Sequence, residues 1–222
     1  EKEKWKFDIN YLPKNGVPAL IHSVFEGRVD VIRFLLYVND INVNITTSEG
    51  YSSLLFASMY GSFDVVQLLC ETKFDEINFL QKNDEGSNAF MIACIYGWMD
   101  IIKYLAFLKH RPKSLTQESS EEQNNLEGQP IFDINDVNSR GQSAFYFACL
   151  KGQIEVVKFL AGIENIKMIQ KGLYPDRIAA HFNHADVVDF LNKNEKYQKQ
   201  KLEYIESEKA QKSLSDNEYI ED

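Results

Sequence analysis

The chain has 222 residues, 44% of them hydrophobic and 26% charged, which is ordinary globular usage and enough to bury a core without metal or disulfide support. Lys and Arg number 24 against 33 Asp and Glu, a formal net charge of −9 that disfavours nonspecific binding to nucleic acid or anionic membrane, where phosphates must be neutralised by cations. No apolar run approaches the roughly 18–20 residues of a membrane span, and Glu1-Lys2-Glu3-Lys4 has no signal-peptide core. Cys70, Cys94 and Cys149, odd in number and scattered, read as reduced thiols of a cytoplasmic or nuclear protein.

Along the chain one pattern recurs five times. Gly16-Val-Pro-Ala-Leu, Gly50-Tyr-Ser-Ser-Leu, Gly86-Ser-Asn-Ala-Phe, Gly141-Gln-Ser-Ala-Phe and Gly172-Leu-Tyr-Pro-Asp open the copies. A second glycine follows eleven residues later in four of them (Gly27, Gly61, Gly97, Gly152), with Asn183 in the fifth. Then come an acid and an aliphatic pair, as in Asp64-Val65-Val66 and Asp100-Ile101-Ile102, and a Leu at a fixed offset (Leu35, Leu69, Leu105, Leu160, Leu191).

Within each copy, small and apolar residues at helical spacing predict a short first helix. The second glycine stops it by adopting positive φ, and a second helix follows with Val65, Val66 and Leu69 on one face. Helices of about ten residues do not persist alone in water, so the pairs must stack to bury their faces. Ala57, Ala93, Ala148 and Ala179 share one offset, where small side chains let neighbouring helices approach. Before each copy lies an Ile-Asn element, such as Phe7-Asp8-Ile9-Asn10 or Phe132-Asp133-Ile134-Asn135, read as an extended connection or a hairpin tip.

This pattern resembles the ankyrin repeat over roughly residues 7–192. The resemblance implies an all-α fold with short hairpin loops, an α-solenoid of about five repeats over residues 1–192 followed by a charged helix and acidic tail over 193–222. Ser52, Asn88 and Ser143 supply helix N-caps where the family has Thr. The family's His is replaced by Ile21, Leu55, Met91, Tyr146 and Arg177, so weaker hydrogen bonding between repeats, offset by apolar packing, is expected.

Two stretches depart from the repeat. The third and fourth copies are separated by 55 residues because of a polar insertion at about 109–129, read as a long surface loop. After Leu191, Lys193–Lys212 suits a solvent-exposed capping helix, and Ser213–Asp222 suits a flexible acidic tail.

Signals for chemistry are weak. His181 and His184 could share a metal from one helix face, but no further ligand has matching spacing, and they read as surface polar residues. Cys94 and Cys149 stand where the family has its second Ala and read as core thiols. The basic run Lys109–Lys113 is too short, and too near acids, for a nucleic-acid site. Trp98 is expected to pack under the insertion. Neither enzymatic activity nor a cofactor is expected.

In ankyrin proteins the recognition face comprises the hairpin tips and the exposed end of each first helix. The resemblance therefore implies a concave partner-binding groove formed by Tyr51, Met59, Tyr60, Ile95, Tyr96, Phe25, Lys151 and Phe182, with Tyr60 and Tyr96 as anchors. Aromatic rings there bury a large area at small entropic cost. Glu26, Glu49, Asp84 and Glu85 bias the groove toward a basic protein or peptide. The expected protein is a monomeric adaptor that engages neither nucleic acid nor membrane. A competing expectation makes the acidic tail, phosphorylated at Ser215, the working part.

Overall fold

The computed structural model describes residues 8–14, 16–109 and 128–218, with residues 212–218 described by backbone alone. Among the described residues the elements are five helix pairs and a terminal helix. The pairs are α1 (Ala19–Phe25) with α2 (Val29–Leu36), α3 (Ser53–Met59) with α4 (Phe63–Thr72), and α5 (Ala89–Tyr96) with α6 (Met99–Ala106). They continue with α7 (Ala144–Leu150) and α8 (Ile154–Gly162), then α9 (Pro175–His181) and α10 (Ala185–Lys193), and end with α11 (Glu195–Glu218). Isolated β-bridges close the loops between pairs, at Thr46–Ser52, Val137–Ser143 and Gln170–Leu173.

Three first helices, α3, α5 and α7, start where a cap residue satisfies an orphan N–H. Ser52 Oγ accepts from Leu55 N at 3.5 Å, Asn88 Oδ1 from Met91 N at 2.9 Å, and Ser143 Oγ from Tyr146 N at 3.3 Å. In the last pair Pro175 occupies the first turn instead, where its fixed φ suits the helix. Each first helix ends at a residue of positive φ, Gly61 at +71° and Asn183 at +61° among them. Asn tolerates that conformation better than other side-chain-bearing residues, which is why the fifth copy can dispense with glycine.

First helices stack in one row (α1, α3, α5, α7, α9), with second helices behind them. At the contacts Ala57, Ala93, Ala148 and Ala179 are fully enclosed, as are Cys94 and Cys149, whose thiol pKa values burial pushes up. Ile21, Leu55, Met91 and Tyr146, standing at the family's His position, are also buried. One continuous apolar core runs from Leu20 to Tyr197, and each fully buried Leu, Ile or Phe contributes about 1.5–3 kcal/mol to it.

Side-chain hydrogen bonds between repeats run through the Ile-Asn elements, which are connections and not hairpin tips. Asn10 donates to the Asp40 carbonyl and accepts from Asn42 N, both at 2.7 Å. Asn44 does the same with Glu76 O at 2.7 Å and Asn78 N at 2.6 Å, and Asn135 with Asn165 O at 3.0 Å and Lys167 N at 2.7 Å. Each carboxamide thus clamps the next connection through a donor and an acceptor two residues apart. At the junction spanning the insertion, Asn78 instead accepts from its own Leu80 N, and Lys82 pairs with Asp136 at 2.7 Å.

His184 corrects a further expectation, and Trp98 packs on the preceding repeat; the insertion under which it was expected lies almost wholly outside the described residues. The Trp98 indole lies over Gly61, and Nε1 donates to the Met59 carbonyl at 3.0 Å. His184 is half-buried against Gly152 and bonds the Leu150 carbonyl at 3.0 Å. Both residues follow the helix-ending position directly, and each places its ring where a Cβ on the neighbouring glycine would collide. His181 is exposed, as expected.

The insertion lies almost wholly outside the described residues, as do residues 219–222. Its two ends meet: Lys109 and Pro130 form a bridge, and Ile131 N donates to Leu108 O at 2.9 Å. Contrary to a flexible tail from Ser213, α11 continues to Glu218, since nothing in Ser213–Glu218 is a Gly or Pro that would stop a helix. Nor is α11 merely solvent-exposed. Tyr197 is fully buried and donates to Asp176 Oδ1 at 2.5 Å, and Lys201 pairs with the same carboxylate. Gln200 repeats the amide clamp on Ile166 O and Met168 N, both at 2.8 Å, and Lys196 Nζ donates to Ile163 O at 2.6 Å.

Candidate partner-binding groove

The hairpin loops lead into the N-terminal ends of the first helices and share one cavity with the C-terminal turns of those helices. Neighbouring tips are joined by backbone hydrogen bonds, Asp84 N to Glu49 O at 3.3 Å and Ser139 N to Glu85 O at 3.1 Å. Gly141 lies against the Lys171 side chain, which carries the row of tips into the fifth repeat. Helix ends and tips together form the walls of a groove.

The residues expected there fall into three groups. Phe25 and Tyr60 are 53% and 46% exposed and meet edge to face at 5.6 Å. Tyr60 also stacks on Phe56 at 5.7 Å, and Phe56 meets Tyr51 at 5.5 Å, so four rings run without a break across the first two repeats. Tyr51, Met59, Ile95, Tyr96 and Lys151 line one cavity of about 300 Å³ between the second, third and fourth repeats. Phe182 stands apart in the fifth repeat, 50% exposed, its ring parallel to His184 at 6.5 Å.

Within the cavity Tyr51, Met59 and Ile95 are half-buried, while Tyr96, at 48%, and Lys151 are exposed at its mouth. Ile92, Phe147 and Leu150 complete its apolar lining, and Asn83, Glu85 and Ser87 form its polar side. Burial raises the Tyr51 phenol above its ordinary pKa; a hydrogen bond with Asn83 opposes this, and the negative charges of Glu85 and Glu49 reinforce it. Tyr51 is therefore a neutral hydroxyl at physiological pH.

Phe56, Ile92 and Phe147 escaped the sequence reading, although the signal was available. Each lies four residues before Tyr60, Tyr96 or Lys151, one turn earlier on the same helix face. Among the described residues no group of three or more His, Cys, Asp or Glu side chains is placed to hold a metal ion, and no helix is long and apolar enough to cross a membrane.

Comparison with known proteins agrees with this architecture. A family model for ankyrin repeats (3 copies) matches residues 3–79 and again 76–161. The crystal structure of EF0377, an ankyrin repeat protein, superposes with a TM-score of 0.63 over 85% of this chain and 86% of that one, at 17% sequence identity, a likeness of fold. No curated protein sequence matches the chain. With most of its length matched by the family model, the chain belongs to the ankyrin-repeat family, whose stacked repeats are non-catalytic scaffolds for protein–protein interaction.

Proposed function

We propose that this protein is a binding module that receives a protein or peptide partner in the groove between its hairpin tips and first-helix ends. Tyr60 and Tyr96 are the anchors; Tyr51, Met59, Ile95, Phe25 and Lys151 surround them, and Phe182 forms the far end. The observation that carries the reading is that large, about half-exposed rings (Phe25, Tyr60, Tyr96) gather at successive first-helix ends beside one cavity, whereas the more exposed Phe34, Tyr37 and Phe107 stand on or just after second helices. A Tyr held by its neighbours loses little rotamer freedom on binding and still has area to bury, the usual character of an interface hot spot. Net charge of −9 argues against nucleic acid as the partner, and the buried thiols suit a monomer working in the cytoplasm or nucleus.

Co-purification from the source cells with the full chain and with its Tyr60→Ala/Tyr96→Ala variant tests this reading. A partner retained by the unsubstituted chain and lost by a folded double variant supports it. Equal retention by both chains would move the binding surface elsewhere.

A further inference from the structure

Charge is divided along the groove. In the second and third repeats the tips carry Glu49, Asp84 and Glu85; in the fourth and fifth they carry Arg140 and Lys171, with Lys151 at the helix end below. All six side chains are exposed, and none is in an ion pair among the described residues. The sign changes across the 300 Å³ cavity, which has Glu85 on one wall and Lys151 on another. Hydrogen bonds between neighbouring tips hold the acidic and basic segments in one line.

The cavity at the crossover is equipped for a ligand. Its apolar lining from Met59, Ile92, Ile95 and Phe147 offers room for a large side chain. Ser87, only 1% exposed, also lines it, and its hydroxyl has no hydrogen-bond partner among the described residues. A buried hydroxyl without a partner is unfavourable, and a backbone amide or carbonyl of a bound chain would supply one.

We infer that the groove selects an extended peptide segment with segregated charge: basic residues over Glu49 and Glu85, a large apolar side chain in the cavity beside Ser87, and acidic residues over Arg140 and Lys171. This rests on the groove reading above and narrows it, replacing a generally basic partner with a dipolar one. Complementary charges placed in line fix register and exclude partners of the wrong pattern, since like charges brought together are costly. The division of sign fixes which charged end lies over which repeats and is indifferent to chain direction.

Two fluorescent peptides of identical composition test the inference with the full chain. One has Lys and Arg on one side of a central Leu and Asp and Glu on the other; its counterpart interleaves the same charges around that Leu. Anisotropy titration at low ionic strength should give at least about tenfold tighter binding of the segregated peptide. Glu49→Lys/Glu85→Lys and Arg140→Glu/Lys171→Glu should each abolish that preference. Combining all four substitutions should restore it, because the dipole is then inverted at unchanged net charge and the peptide binds end for end. Equal binding of the two peptides, no binding of either, or a fourfold variant without the preference would overturn the inference. The Tyr60→Ala/Tyr96→Ala variant separates the two levels. Loss of binding to both peptides where neither is preferred retains the groove and removes the charge axis; undiminished binding of the segregated peptide removes the groove itself.

Discussion

The connection edge and the groove edge of the stack are assembled from the same five repeats and end in opposite chemical states. Along the connections, Asn10, Asn44, Asn135 and Gln200 each use both halves of a carboxamide on a neighbouring connection, and Lys82 is held by Asp136. Along the groove, Phe25, Tyr60 and Tyr96 are about half exposed, and Glu49, Glu85 and Arg140 form no ion pair among the described residues. Polar groups on one edge hold the repeats together, while those on the other remain available. Substitutions at the two edges should therefore separate stability from binding.

Stacking at the helix-ending glycines should give the largest loss of stability. Gly61→Ala places a Cβ 2.6 Å from the Trp98 indole at a φ of +71°, and denaturant unfolding should show a cost of about 2–4 kcal/mol. Gly27 has a similar φ of +64° but nothing within 4 Å, so Gly27→Ala should cost only the backbone strain, about 1 kcal/mol. Equal losses at the two sites would mean that the indole yields freely. Next in size is Ala93→Leu, which overpacks a fully enclosed contact between first helices and should cost about 1–3 kcal/mol.

The clamps come below these. Asn44→Ala removes two hydrogen bonds between connections and should cost about 1–2 kcal/mol, whereas Asn78→Ala, whose carboxamide among the described residues accepts from its near neighbour Leu80 N, should cost less. Similar values for both would show that the clamps add nothing beyond local turns.

Docking of the terminal helix should depend on acidity. Burial raises the Asp176 pKa, but hydrogen bonds from Lys201 and Tyr197, with the Lys201 charge, outweigh it, and the net pKa lies below the ordinary 3.8. With a depressed folded pKa, the contribution of Asp176 is fully present above the ordinary carboxylate range and is lost as pH falls through the folded value. Hydrogen exchange in α11 should therefore accelerate relative to α5 on acidification below about pH 4, a response that Asp176→Asn should flatten. An unchanged response in that variant would assign the acid sensitivity to other groups.

Much of this architecture was legible because the repeat constrains its own reading. Ser52, Asn88 and Ser143 recur at one offset, and each caps its helix; Gly61 and Asn183 occupy equivalent positions, and both adopt positive φ. What escaped were contacts between copies. Sequence offsets relate Trp98 to Gly97, its chain neighbour, yet its ring lies on Gly61 one repeat earlier. Asn44 looked like an ordinary turn residue because the carbonyl and N–H that it grips are 32 and 34 residues away. The groove was legible as a set of positions, but its cavity was not, since Phe147 and Ser87 reach it from different repeats.

The separation of the two edges is tested most directly by measuring unfolding free energy and peptide affinity on the Tyr60→Ala/Tyr96→Ala chain, with Asn44→Ala beside it. The tyrosine variant should lose under about 1 kcal/mol of stability, as surface substitutions do, while its affinity for the charge-segregated peptide falls at least tenfold, or about 1.4 kcal/mol. Asn44→Ala should show the reverse, weakened folding with unchanged affinity. A tyrosine variant that is stable and binds as tightly as the original, or one that loses several kcal/mol of stability, would contradict the assignment of binding to the groove edge.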